Sequence, residues 1–158
     1  MTGDAGFVVV VESGVACGPV RLGMPMAEVV AVLGEPEARH PLWSGDGETL
    51  FWLRSTFQVT FGVGATVVDV QLCARGPVVA VFRGIDLLST PADEVVARLS
   101  SLGEGSYEED GSSFSFSRAR LGFWRQGLPD DWEPDEYEQY RDGLFWDTVN
   151  TWADPQGT

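Results

Sequence analysis

Residues 18–37, GPVRLGMPMAEVVAVLGEPE, decide how the rest of the chain is read. They spell a strand end, a sharp turn, a short amphipathic helix and a helix stop. Pro25 stands at the predicted first helical position, where its missing N–H costs nothing and its fixed φ suits the helix. Glu28 falls in the first turn, where a carboxylate meets the positive end of the helix dipole. Met26, Val29, Val30 and Leu33 follow the i, i+3, i+4, i+7 spacing of one buried stripe. Gly34 offers a left-handed C-terminal cap, and Pro36 forbids continuation.

A weaker copy lies at 83–104, RGIDLLSTPADEVVARLSSLGE. Thr90 is the predicted N-cap, with Pro91 following at the first helical position. Asp93 and Glu94 fill the first turn; Ala92, Val95, Val96 and Leu99 make the stripe, and Gly103 ends the helix. Each helix is followed by closely spaced strands. The order strand–helix–hairpin therefore occurs twice, which predicts an internal duplication.

Working outward, 7–12 is a β-branched strand run, and 15–22 carries a short strand into the first helix. Residues 38–47 read as a loop, broken by Pro41, Gly45 and Gly47. A hairpin follows, 48–54 with 57–62, and then a strand at 67–73. Alternation assigns Phe51, Leu53, Phe57, Val59, Phe61, Val68, Val70 and Leu72 to the side packed on the helix. Leu50, Trp52, Arg54, Gln58, Thr60, Asp69 and Gln71 then face the other side. In the second half, 78–82 is a strand, and 113–118 with 121–126 is a hairpin. Phe114, Phe116, Leu121 and Phe123 are directed to the core, and Trp124 outward. A last strand is expected over 144–152. The predicted fold class is α+β: two tandem helix-plus-antiparallel-sheet modules, 1–76 and 77–158.

The chain has 158 residues and a formal net charge of −14, and all ten basic residues are Arg. Such an acidic chain is a poor nucleic-acid binder, because phosphate contacts need a basic face. The same charge disfavours anionic membrane surfaces. It leaves basic proteins, neutral partners and small molecules. The longest apolar run, 7–11, is far too short to span a membrane and lacks the flanks of a signal peptide, so a cytoplasmic location is the expectation. Cys17 and Cys73 read as reduced thiols, or alternatively as one disulfide between the first strand and the sheet. With the single His40 they offer no metal-ligand cluster, and no cofactor motif is present.

Residues 18–36 resemble the opening repeat motif of the SmpA/OmlA small outer-membrane assembly lipoproteins, in which a Gly-Met-Ser/Thr-like turn leads into a helix ending in Leu-Gly-x-Pro. Tandem copies of that unit are similar to the architecture of β-lactamase-inhibitor proteins, and the layout resembles that of uncharacterised actinobacterial proteins. The second copy departs from the motif, with Leu88-Ser89-Thr90 in place of Gly23-Met24, and no lipobox cysteine is present. The resemblance implies a two-module protein used for binding other proteins and carries over no catalytic residue.

The most acidic segment, 129–142, interleaves seven carboxylates with Trp132, Tyr137 and Tyr140. It is either a surface for a basic partner or a solvated loop. Trp52, Trp124 and Trp43 are either anchors on an exposed sheet face or residues buried between the modules. Asp69 is either a catalytic acid or an outward carboxylate paired with Arg54. His40 has no nucleophile motif beside it and reads as a loop histidine. The expected function is a non-enzymatic protein-binding module, with an immunity or inhibitor role as one form of it. Its candidate partner-binding residues are Trp52, Trp124, Trp132, Asp135, Glu136, Tyr137 and Tyr140. The alternatives are a small-molecule binder or enzyme with a pocket between the modules, around Trp52, Arg54, Asp69 and Trp124, and a homodimer built through sheet faces or edges.

Overall fold

A computed structural model of the chain describes residues 6–107, 112–125 and 144–154. The run FVVVVE forms β1 (Phe7–Glu12), with Val9 and Val11 turned inward and Val8 and Val10 exposed. It continues into β2 (Ala16–Cys17) and β3 (Val20–Arg21), then α1 (Met26–Leu33). Four antiparallel strands follow: β4 (Ala38–Pro41), β5 (Glu48–Trp52), β6 (Phe57–Phe61) and β7 (Val67–Cys73). The same order then recurs. β8 (Val78–Phe82) and β9 (Ile85–Asp86) lead into α2 (Ala92–Arg98) and a 3-10 turn at Ser100–Leu102. β10 (Ser106–Tyr107), β11 (Ser113–Phe116), β12 (Leu121–Trp124) and β13 (Thr148–Trp152) complete the described chain.

The expected α+β pair of helix-plus-sheet modules is overturned. The protein is mostly β, with two short helices of eight and seven residues and two sheets that both halves share. The smaller sheet has the order β3-β2-β1-β8-β9, and the larger β10-β11-β12-β13-β7-β6-β5-β4. Two pairings fuse the halves. β1 lies parallel to β8, Val8 opposite Val79 and Val10 opposite Val81. β7 lies antiparallel to β13, Val70 opposite Thr151 and Leu72 opposite Val149. A module with a sheet of its own would leave these edges with unpaired backbone donors and acceptors. The expected boundary at 76/77 falls in the connection between β7 and β8.

One core cluster unites Val9 and Val20 of the small sheet, Leu50, Val59, Val70 and Phe116 of the large sheet, and Val29 and Val95 of the helices. The two helices are held alike. The Met26 N–H donates to the Ala65 carbonyl just before β7, and the Ala92 N–H donates to the Leu144 carbonyl before β13. Pro25 bridges Thr66, and Pro91 bridges Phe145. Each helix thus has a leading donor satisfied by the segment entering the last strand of its half. Pro25 and Pro91 sit one residue earlier than expected, as extended residues before the first turn, and Thr90 provides no side-chain cap. Gly34, at φ 86°, ends α1 with its N–H on the Val30 carbonyl, a conformation that favours glycine.

Three further expectations are corrected. Residues 38–41, read as loop, form the edge strand β4, Pro41 being tolerated at its end. β5 is out of phase with the reading: Leu50 and Trp52 are buried, and Phe51 faces outward opposite Gln58. A bulge in β7, opposite the Thr60–Phe61 step of β6, sets Val67 into the core and leaves Val68 exposed. Both cysteines are free thiols. Among the described residues, no helix is long and apolar enough to cross a membrane.

Candidate functional site: the outer face of the large sheet

Directly paired residues share a face, so the register defines the surface opposite the core. One row crosses the sheet as Ser115, Gly122, Asn150, Gln71, Gln58 and Phe51. Flanking rows bring Trp152, Asp69, Thr60 and Thr49 together on one side, and Trp124, Thr148 and Cys73 on the other. None of these side chains belongs to the core cluster. Among the described residues, the face carries one strand carboxylate, Asp69, and no strand arginine.

The polar side chains bond to one another. Asn150 Nδ2 donates to Asp69 Oδ1 at 2.9 Å. Gln71 Nε2 lies 3.4 Å from Gln58 Oε1, and Gln58 Nε2 donates to the Ser55 carbonyl at 2.8 Å. Cys73 Sγ sits 3.5 Å from Gln58 Nε2 and 3.8 Å from Gln71 Nε2. The Thr49 and Thr60 hydroxyls are 2.9 Å apart. Gly122 leaves room for the crossing: a Cβ there would meet Asn150 Oδ1 at 2.8 Å and the Trp152 ring at 3.2 Å.

Burial raises the Asp69 pKa above its ordinary value, and the Asn150 hydrogen bond pulls it partly back. Burial also raises the Cys73 thiol, with Asp147 adding to the rise and the Gln71 hydrogen bond opposing it. A thiol held protonated beside two amides has no base to activate it. His40 lies at the sheet edge, edge-on to Phe51 with ring centroids 5.2 Å apart. The described residues hold no group of three or more side chains suited to a metal ion.

The candidate residues separate. Trp124 is on the outer face and 48% exposed. Trp52 is not: it is buried in the core, and its indole N–H donates to the Gly34 carbonyl at 2.9 Å. Trp43 is fully exposed in the β4–β5 turn. Asp69 pairs with Asn150 rather than Arg54, whose backbone N–H instead bonds the Glu37 carboxylate. Trp132, Asp135, Glu136, Tyr137 and Tyr140 lie outside the described residues. Sequence reasoning missed Asn150 and Trp152. The alternation in TVNTW carries the signal, since it places both on the face opposite buried Val149 and Thr151.

At the end of this face, a cleft of about 350 Å³ lies between the β7–β8 connection and the segment entering β13. Ala74, Arg75, Leu88, Arg125, Leu144, Phe145, Trp146 and Asp147 line it. Arg125 is buried, its guanidinium 4.8 Å from the centre of the Trp146 ring.

No protein-family model, curated protein or solved structure matches the chain.

Proposed function

We propose that this chain is a protein-binding module that offers the outer face of its large sheet to a partner with a basic contact surface. The observation carrying the proposal is Asp69. It is a partly desolvated carboxylate with an amide as its bonded neighbour, on a face without a strand arginine among the described residues. A partner's Arg or Lys would restore to that carboxylate what burial removes, and a net charge of −14 would favour the encounter. Trp124, half exposed, and Trp152 flank the polar rows and supply aromatic contact area of the kind that concentrates binding energy. Immunity or inhibition of a basic protein is the form of this function that also accords with the SmpA/OmlA-like and β-lactamase-inhibitor-like motif.

The test uses immobilised wild-type chain, Asp69→Asn and Trp124→Ala as parallel baits, with Glu94→Gln as a control on the exposed side of α2. A specific basic partner is expected on the wild type and control, released by high salt and lost from both face variants. Equal retention on all four baits would sink the reading, because it would reduce the interaction to net charge.

A further inference from the structure

We propose that the outer face of the small sheet is the contact surface of a homodimer, covered by a second copy of this chain. The proposal does not rest on the large-sheet face, which lies beyond the core cluster. β1 and β8 are apolar at consecutive positions, FVVVV and VVAVF. Strands that show one side to water alternate instead, as FQVTF and TVNTW do in the large sheet. Unbroken apolar runs in a parallel pair are the pattern of strands covered on both sides, and β1–β8 is the one parallel pairing among the described strands. Here one side is covered. Val9, Val11, Val78 and Ala80 enter the core, while Val8 and Val10 are 62% and 54% exposed. The register sets Val8 beside Val79 and Val10 beside Val81, so four valines form one block at the centre of the sheet. The edge strands β3 and β9 have two residues each, too little backbone for strand addition, which leaves the face as the adhesive surface.

Charge selects the occupant. The same face carries Glu12 and Arg21, exposed and in one row through Ala16, and Asp86, whose carboxylate accepts from the Ser89 N–H. One arginine against two carboxylates leaves the face nearly neutral in a chain of net charge −14. A strongly charged partner of either sign gains little attraction there, whereas two copies of the chain meet with least repulsion across it. A twofold contact uses the same patch on both copies, so one valine block supplies both sides. Homodimer interfaces are also the more apolar class. The block is small, which places the dimer at the weak end of specific interfaces.

Sedimentation equilibrium of the full chain from about 5 to about 500 µM tests the proposal. The wild type should reach twice the monomer mass. Raising salt from about 0.02 to about 0.5 M should tighten the dimer at least about threefold, by screening repulsion between two acidic chains. The contact with a basic partner responds in the opposite sense. Val10→Glu should weaken the dimer at least about tenfold. Val63→Glu adds the same charge in the β6–β7 turn, at a position 82% exposed, and should leave the dimer intact. In the wild type, the methyl resonances of Val8, Val10, Val79 and Val81 should shift with concentration, which keeps the test decisive if Val10→Glu does not fold. A wild type that stays monomeric, as it would if a different protein were the occupant, overturns the proposal. So does a dimer that salt loosens, one that Val10→Glu leaves as tight, or one whose formation leaves the four valines unmoved.

Discussion

Asn150 donates its side-chain amide to the Asp69 carboxylate across the β13–β7 pairing, the seam that joins the two halves of the large sheet. Asp69 keeps a raised pKa despite this bond, because burial outweighs it. A carboxyl with a higher pKa in the folded than in the unfolded chain stabilises the fold while protonated. That contribution is complete below the ordinary value of 3.8 and is lost as the pH rises through the folded value. Asp69→Asn is neutral at every pH. Its stability relative to wild type should therefore increase from acid toward neutral pH and then level off. Denaturant unfolding across that range checks this, and a difference that does not change with pH would contradict it.

Trp52 ties α1 to the sheet through the Gly34 carbonyl. Trp52→Phe keeps most of the core volume but removes the donor, and the carbonyl of exposed Gly34 passes to water. The expected loss is about 0.5–1.5 kcal/mol, read from the shift in urea midpoint at unchanged m-value.

The β5–β6 turn runs through three consecutive left-handed residues, Leu53, Arg54 and Ser55, at φ 54°, 59° and 65°. Left-handed backbone is costly for side-chain-bearing residues. The Glu37 carboxylate holds the turn by accepting from the Arg54 N–H at 2.8 Å and the Ser55 N–H at 3.3 Å. Glu37→Ala should cost about 1–1.5 kcal/mol, the low end for charged hydrogen bonds because the group is exposed. Faster amide exchange at Arg54 and Ser55 should accompany it.

Burial pushes the Cys17 thiol up to about 12, with Asp69 adding to the rise, while Cys73 is half-buried at the outer face. A thiol reagent near pH 8 should therefore label Cys73 slowly in the native protein, its own thiol being raised by burial, and reach Cys17 only after denaturation. Native labelling of both at equal rates would show that the small sheet opens readily. The raised Cys17 pKa also favours folding below the ordinary value of 9.0, a contribution lost as the pH climbs toward 12.

The helices were legible because local rules place them: an apolar stripe, first-turn acids and a terminal glycine act within a dozen residues. The two helices are anchored alike, through Pro25 to Thr66 and Pro91 to Phe145. The phase of β5 was not legible. Leu50, Phe51, Trp52 and Leu53 are all apolar, so alternation offers two equal solutions; the Trp52–Gly34 bond accompanies the one adopted. The β7 bulge similarly defeats a strict period of two at Val67 and Val68. The fold class failed for a different reason. β1 with β8 and β7 with β13 are pairings between distant strands, which no local pattern announces. Half of the site was visible as Asp69, Gln71 and Trp124. Asn150 arrives from the far end of the chain.

The parallel pairing of β1 with β8 has a consequence for synthesis. When the first half leaves the ribosome, β1 must wait for residues 78–82, and β7 for residues 148–152, before their edges are covered. A nascent chain halted after β7 would therefore carry two sticky strand borders, a liability during translation that the finished protein has sealed.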